Sequence, residues 1–333
     1  MKHRVELPII EPMYSTYQFQ IPGTAILENN PSIRNWYLSH ALILSCSRSF
    51  LNGYSSPQLN VVESSWNSNP YFDKKIYDMQ FLKGHIHYVI RNLLDEGYYV
   101  YFTNIDDYYV EGKSWYQERH FPHDGCICGY DRENKTYCLF AYDKNWRCQK
   151  FWTTQSSFDK GRRACFKKGQ YGVIYGIKPK QEQVDFFLNI ALDKIHEYLD
   201  SSMEKYPETT PGVVSGIVVH EYLAKYLDML YDGTIPYEKI DRRIFRLIWE
   251  HKKTMLESIR NIEKALSLDD STSATYEKVV KEADTARMIY ASHVMKRRDS
   301  LLPIIKNKLL SLEKEEQAIL EKLLQKVGGG EKE

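Results

Sequence analysis

The chain has 333 residues, of which 43% are hydrophobic and 27% charged, with a formal net charge of +1. That balance supports a large core and excludes a disordered chain. With no long basic run and no apolar run near the roughly 18 residues that cross a bilayer, it also argues against nucleic-acid and membrane partners.

Six cysteines do not make a disulfide framework at this length, and Met1-Lys-His-Arg-Val-Glu-Leu-Pro8 lacks the apolar core of a signal peptide. The expectation is a reduced, cytoplasmic protein. Aromatic residues are dense before about residue 190 and thinner afterwards, so the first part reads as β-containing and the second as helical.

Residues 1–35 read as irregular or short strand. A helix is expected over Asn35–Phe50, entered from the Asn29-Asn30-Pro31-Ser32 turn. A loop follows over Ser55–Asn69, with one strand at Val61-Val62. Ile76–Leu94 reads as an amphipathic helix, with Leu82, Ile86, Val89, Ile90 and Leu93 on one face and Gly97 as its stop. Tyr98–Phe102 is a buried strand, and Asp106 to Pro122 a polar, exposed excursion. Strands are also expected at Cys148–Thr154 and Tyr171–Ile177, completing an antiparallel sheet packed on the helix.

From Gln181 the pattern is helical. Val184, Phe187, Leu188, Ala191, Leu192, Ile195 and Leu199 make one stripe, and further helices are expected over 213–231, 241–266, 274–296 and 301–326. Asp270 or Ser271 and Asp299 or Ser300 are the candidate N-caps. The expected organisation is an α+β domain over 1–180, a helical subdomain over 181–327 and a disordered tail over 328–333.

The segment His123-Asp124-Gly-Cys126-Ile-Cys128-Gly-Tyr-Asp131-Arg-Glu-Asn-Lys135-Thr-Tyr-Cys138-Leu-Phe-Ala-Tyr-Asp143 reads as a β-hairpin. A turn centred on Glu133 sets residues equally distant from it opposite each other, and His123 and Asp143 are such a pair. Opposed Cβ atoms lie about 4.5–5.5 Å apart, close enough for a carboxylate to hold an imidazole. That is the base-and-orienter half of a hydrolase or acyl-transfer triad, and a one-residue slip would separate the two side chains. Both are also ordinary turn residues.

A strand-borne His followed by an Asp, on an antiparallel sheet behind a helix, is a papain-like arrangement. It asks for a nucleophilic Cys at a helix N-terminus upstream of His123. The only upstream cysteine is Cys46, expected near a helix end, where it also reads as a small buried apolar residue. Ser45, Ser39 and Ser15 are the alternative hydroxyls. His40 and His251 read as structural, His85 and His87 as solvated, and His220-Glu221 as helix surface.

Cys126, Cys128 and Cys138 with His120 and His123 raise a metal site, but the spacing fits no zinc ribbon and core cysteines explain it better. No phosphate loop surrounds Gly161, and no cofactor is expected. Arg162, Arg163, Lys167 and Lys168 form a basic cluster that could meet an acidic partner or simply be a solvated loop.

The segment Gly97-Tyr-Tyr-Val-Tyr…Asp107-Tyr-Tyr-Val…His120-Phe-Pro-His-Asp124…Gly129-Tyr-Asp131 resembles the butirosin-biosynthesis-protein-H-like group, papain-like (C39-peptidase-like) proteins of bacterial natural-product clusters. Ile240-Asp-Arg-Arg-Ile-Phe-Arg-Leu-Ile-Trp-Glu-His-Lys-Lys-Thr-Met255 resembles a helical signature of such relatives. The resemblance implies acyl transfer from a phosphopantetheinylated carrier-protein thioester through an acyl-cysteine. In it His123 is the base and Asp143 its acidic partner. The family's cysteine would fall within Gln18–Thr24, where this chain has none and Thr24 is the only hydroxyl.

Two functions are therefore expected. One is an acyltransferase or thioesterase-like enzyme using His123, Asp143 and Cys46. The other is a catalytically inactive relative that binds a carrier protein or peptide intermediate. A homodimer is left open.

Overall fold

The structure is a computed structural model describing residues 2–26, 30–201 and 212–329. It is a mixed α+β protein with antiparallel sheets and packed helices.

In chain order the elements are β1 (Arg4–Glu6), α1 (Ile21–Ala25), α2 (Pro31–His40), β2 (Leu44–Ser47), β3 (Leu59–Val61), β4 (Phe72–Asp78), α3 (Met79–Leu82) and α4 (Ile86–Asp95). Then come β5 (Tyr99–Asp106), β6 (Pro122–Asp131), β7 (Thr136–Tyr142), β8 (Cys148–Thr154), α5 (Gln155–Lys167) and β9 (Val173–Pro179). The last are α6 (Leu188–Asp200), β10 (Val213–Ser215), α7 (Val219–Tyr231), α8 (Ile244–Ala265), α9 (Ser271–Lys296) and α10 (Leu302–Gly329). No described helix is long and apolar enough to cross a membrane.

Two compact units result. One takes the chain up to Arg34 and Ser65–Val184; the other takes Asn35–Ser64 and the chain from Asp185 on. A single cut at 180 therefore does not describe the second unit, which also contains the 35–64 segment. Asn29 of the expected entry turn and the tail beyond Gly329 lie outside the described residues. Gly328 and Gly329 still belong to α10.

The first unit is built on an antiparallel sheet in the order β4-β9-β5-β6-β7-β8, with β1 added alongside β6. Its core is formed by Val100, Phe102, Ile127 and Leu139 with Phe158 of α5 and Ile86, Ile90 and Leu93 of α4. The helical spacing of those α4 residues lays one apolar stripe on the sheet. Gly97, at φ +85°, closes α4: its amide donates to Leu94 (3.1 Å) and that of Tyr98 to Leu93 (2.8 Å), a Schellman stop.

The expected helix over Ile76–Leu94 begins later than its apolar pattern suggests. Phe72–Asp78 is an edge strand paired along its whole length with β9, and Ile76 is exposed on it. Ladder pairing outweighs local propensity there.

Likewise Asn35–Phe50 is not one helix. α2 begins at Pro31, which suits a helical first turn, and ends at His40; Leu44–Ser47 then pairs with both β3 and β10. The run Ala41-Leu-Ile-Leu44 is apolar in either conformation, so periodicity does not separate the two. Val213–Ser215, expected to open a helix, is a strand for the same reason of pairing.

In the second unit the three-stranded sheet β10-β2-β3 accompanies helices α6 to α10. Asp270 is the N-cap of α9, yet its side chain makes no cap bond. Instead Glu263, on α8, accepts the amides of Thr272 (3.0 Å) and Ser273 (2.9 Å), so one helix caps the next.

Candidate functional site

Strand β5 carries a bulge between Phe102 and Ile105, with Asn104 at φ +53°. The extra residue bends the strand end, as bulges do, and delivers Asp106 and Asp107 into the first unit. Both are almost fully buried, contrary to the exposed excursion expected there. Gly161 on α5 lets this corner pack closely, since a Cβ there would come within 2.8 Å of the Asp106 carbonyl oxygen.

His123, near the start of β6, sits beside this corner. Its Nδ1 lies 3.2 Å from Asp107 Oδ2 and 3.3 Å from Lys113 Nζ, and its Nε2 lies 3.4 Å from Asp124 Oδ1. Lys113 is 1% exposed; its ammonium lies 3.2 Å from Asp107 Oδ1 and donates to the Asp124 carbonyl at 2.9 Å. Tyr101 donates to the other Asp124 carboxylate oxygen, and burial pushes its phenol well above the ordinary range. Two carboxylates thus face one ammonium and one imidazole, which compensates charges that would be costly alone.

A second histidine–aspartate pair lies next to the first. His120 Nδ1 is 2.8 Å from Asp106 Oδ2, and its half-exposed ring stacks on Tyr108 at 4.3 Å.

Asp143 does not join His123, and no hydrogen bond or ion pair links them. The hairpin register matches the expected one at Cys126–Phe140 and Ile127–Leu139, then shifts between Ile127 and Gly129. β7 ends at Tyr142, and Asp143 instead bridges to Lys113 through its backbone. The Asp143 carboxylate accepts the amides of Asn145 (2.8 Å) and Arg147 (2.9 Å) and the Gln149 side chain (2.6 Å). Burial opposes its charge, but these donors hold it below the usual carboxylate range. It is the staple of a turn; Asp107 holds the orienting position at Nδ1.

Asp143→Ala should therefore cost about 1.5–3 kcal/mol, the range for hydrogen bonds to charged groups. It should leave the His123 ring resonances in place by NMR. Loss of those resonances without loss of stability would return Asp143 to the orienting role.

Cys46 belongs to the second unit, on β2 rather than near a helix end. It is fully buried, and its thiol donates to the Ser47 carbonyl at 3.4 Å. Burial pushes that thiol up to about 12, the opposite of an activated nucleophile. Ser39 donates to the Asn35 carbonyl and accepts the Phe187 amide. Thr24 is buried in α1, where it accepts the Tyr14 amide and faces the Tyr14 and Gln20 carbonyls. Among the described residues, no hydroxyl or thiol is bonded to the His123 imidazole.

Cys128 and Cys138 meet at 3.6 Å between sulfurs in the hairpin core. Among the described residues, no group of three or more His, Cys, Asp or Glu is placed to hold a metal.

His87 is not simply solvated: Nδ1 lies 2.7 Å from the Tyr137 hydroxyl and Nε2 3.1 Å from Asp159. Residues 155–167 are helix, not loop, capped by Thr154. Arg162 is largely buried there and donates to Asp159. Asp159 thus pairs with His87, Arg162 and Arg163 on a cleft of about 550 Å³, one carboxylate for two guanidiniums, so the cluster stays basic.

The buried Asp106-Asp107 pair was the signal missed in the sequence. Two adjacent acids followed by Lys113 and by His120 and His123 could have been matched in charge. No family model matches the chain, and no curated protein matches it.

Proposed function

We propose that this chain is a papain-like, butirosin-H-like protein that has lost thiol catalysis and binds a phosphopantetheinylated carrier protein bearing an acyl or peptidyl group. One observation carries the reading. His123 has an orienting carboxylate in Asp107, but its other nitrogen faces Asp124 rather than a nucleophile. The antiparallel sheet and the His120-Phe-Pro-His-Asp124…Gly129-Tyr-Asp131 motif support the family, and the buried, unreactive Cys46 supports the loss of chemistry.

The competing reading, an active acyltransferase, is favoured by the same His123–Asp107 pair and by the partial exposure of the imidazole. A general base without a group to deprotonate performs no acyl transfer. Titrating the protein into a fluorescently labelled, acyl-loaded carrier protein should give saturable anisotropy that Cys46→Ala leaves unchanged. No binding to acylated or free carrier would refute the proposal.

A further inference from the structure

In the second unit, the C-terminal end of α9 and the segment before α8 enclose a cleft of about 740 Å³ lined by Tyr237, Arg242, Val294, Met295, Lys296 and Arg297. Three cations from two parts of the chain converge there, and none of them is ion-paired among the described residues. Of the acids near them in sequence, Asp241 binds Arg243 at 2.9 Å, and exposed Asp299 lies 3.6 Å from His293, whose Nδ1 bonds the Arg298 carbonyl at 3.1 Å.

The cleft is also partly fixed. Arg297 adopts φ +48°, a left-handed conformation unfavourable for a side chain of this kind, and its guanidinium lies 4.3 Å over the Tyr237 ring. The Tyr237 hydroxyl donates to the Val294 carbonyl, which anchors that ring. Beside the cations stands an apolar wall, with Met295 75% exposed.

Basic residues near a helix C-terminus complement its dipole, and that accounts for Lys296. It does not account for Arg242, which comes from outside the helix, or for the exposed methionine beside it. We propose that this cleft binds an organic phosphate ester, its anionic head on Arg242, Lys296 and Arg297 and its apolar part against Tyr237 and Met295. Arginine supplies the forked donors that phosphate oxygens accept.

The test uses the full-length protein with inorganic phosphate, hexyl phosphate and phosphatidic acid vesicles, followed by calorimetry and by NMR of the Met295 methyl group. Hexyl phosphate should bind saturably and more tightly than inorganic phosphate. The double variant R242Q/R297Q should weaken it at least tenfold, in the manner of lost charge-assisted contacts. Met295→Ala should weaken hexyl phosphate but not inorganic phosphate. Binding only to vesicles would assign the phosphate to a lipid headgroup, and binding of the soluble ester to a small molecule. Failure of all three ligands to shift the Met295 methyl, or equal binding by R242Q/R297Q, would overturn the proposal. A carrier-binding result in either direction leaves this test unaffected.

Discussion

Glu316→Gln is expected to destabilise the helical unit by about 3–5 kcal/mol, the cost of leaving one partner of a buried ion pair uncompensated. Glu316 is fully buried on α10 and lies 2.6 Å from Lys252 Nζ on α8, which is equally buried. Tyr198 donates to the same carboxylate at 2.9 Å, and Tyr276 donates to its other oxygen. Burial alone would raise the Glu316 pKa, but Lys252, His220 and His251 hold it down to about 2, so the carboxylate is ionised. Removing its charge strands the ammonium. The double variant Lys252→Met/Glu316→Leu should recover most of the loss, because apolar replacements of a buried pair are often neutral. Urea unfolding followed by circular dichroism measures both. A single variant with an unchanged midpoint would show that the network carries no stability.

Acidification from pH 7 to pH 4 is expected to destabilise the same unit even more. His220 was expected on a helix surface but is fully buried on α7, with Nδ1 2.8 Å from the Ile217 carbonyl; His251 Nε2 lies 2.8 Å from the Leu42 carbonyl. Burial, reinforced by Lys252, lowers His220 to about 4 and His251 to about 3, from 6.5. Below pH 6.5 the unfolded chain takes up protons that the folded chain refuses, so stability falls as the pH falls. The slope is roughly 1.4 kcal/mol per pH unit for each histidine. It ends near pH 4 for His220 and near pH 3 for His251, and Glu316 adds its own loss below 4.5. Melting temperature should be level above pH 7 and drop steeply between pH 6.5 and 4. A level profile to pH 4 would mean that both rings accept protons in the folded state. His220→Gln should flatten the upper part of the slope.

The parts of the fold legible in the sequence were those set by local periodicity. Ile86, Ile90 and Leu93 announced the buried face of α4, and Gly97 its stop. The hairpin itself followed from alternation and turn chemistry, and its open end keeps the expected Cys126–Phe140 and Ile127–Leu139 pairs, but beside the turn Gly129 rather than Cys128 stands opposite Cys138. What was not legible depends on distant pairing. β4 follows from β9, the strand around Cys46 follows from β3 and β10, and α5 carries too few apolar residues to stand out from a loop. The site failed at one joint. Strand β7 ends at Tyr142 and Asp143 caps a turn instead, so the orienting role falls to Asp107, whose burial depends on Lys113 and on a bulge at Asn104. Two adjacent acids look solvated until their countercharges are located.

The central claim is that His123 serves no nucleophile. Intact-mass spectrometry of the full-length protein after incubation with an acyl-loaded carrier protein tests it most directly. The account predicts no acyl adduct and no loss of acyl group from the carrier, in wild type and in His123→Ala alike. An adduct present in wild type and absent in Cys46→Ala or His123→Ala would contradict it and make the protein a thiol acyltransferase.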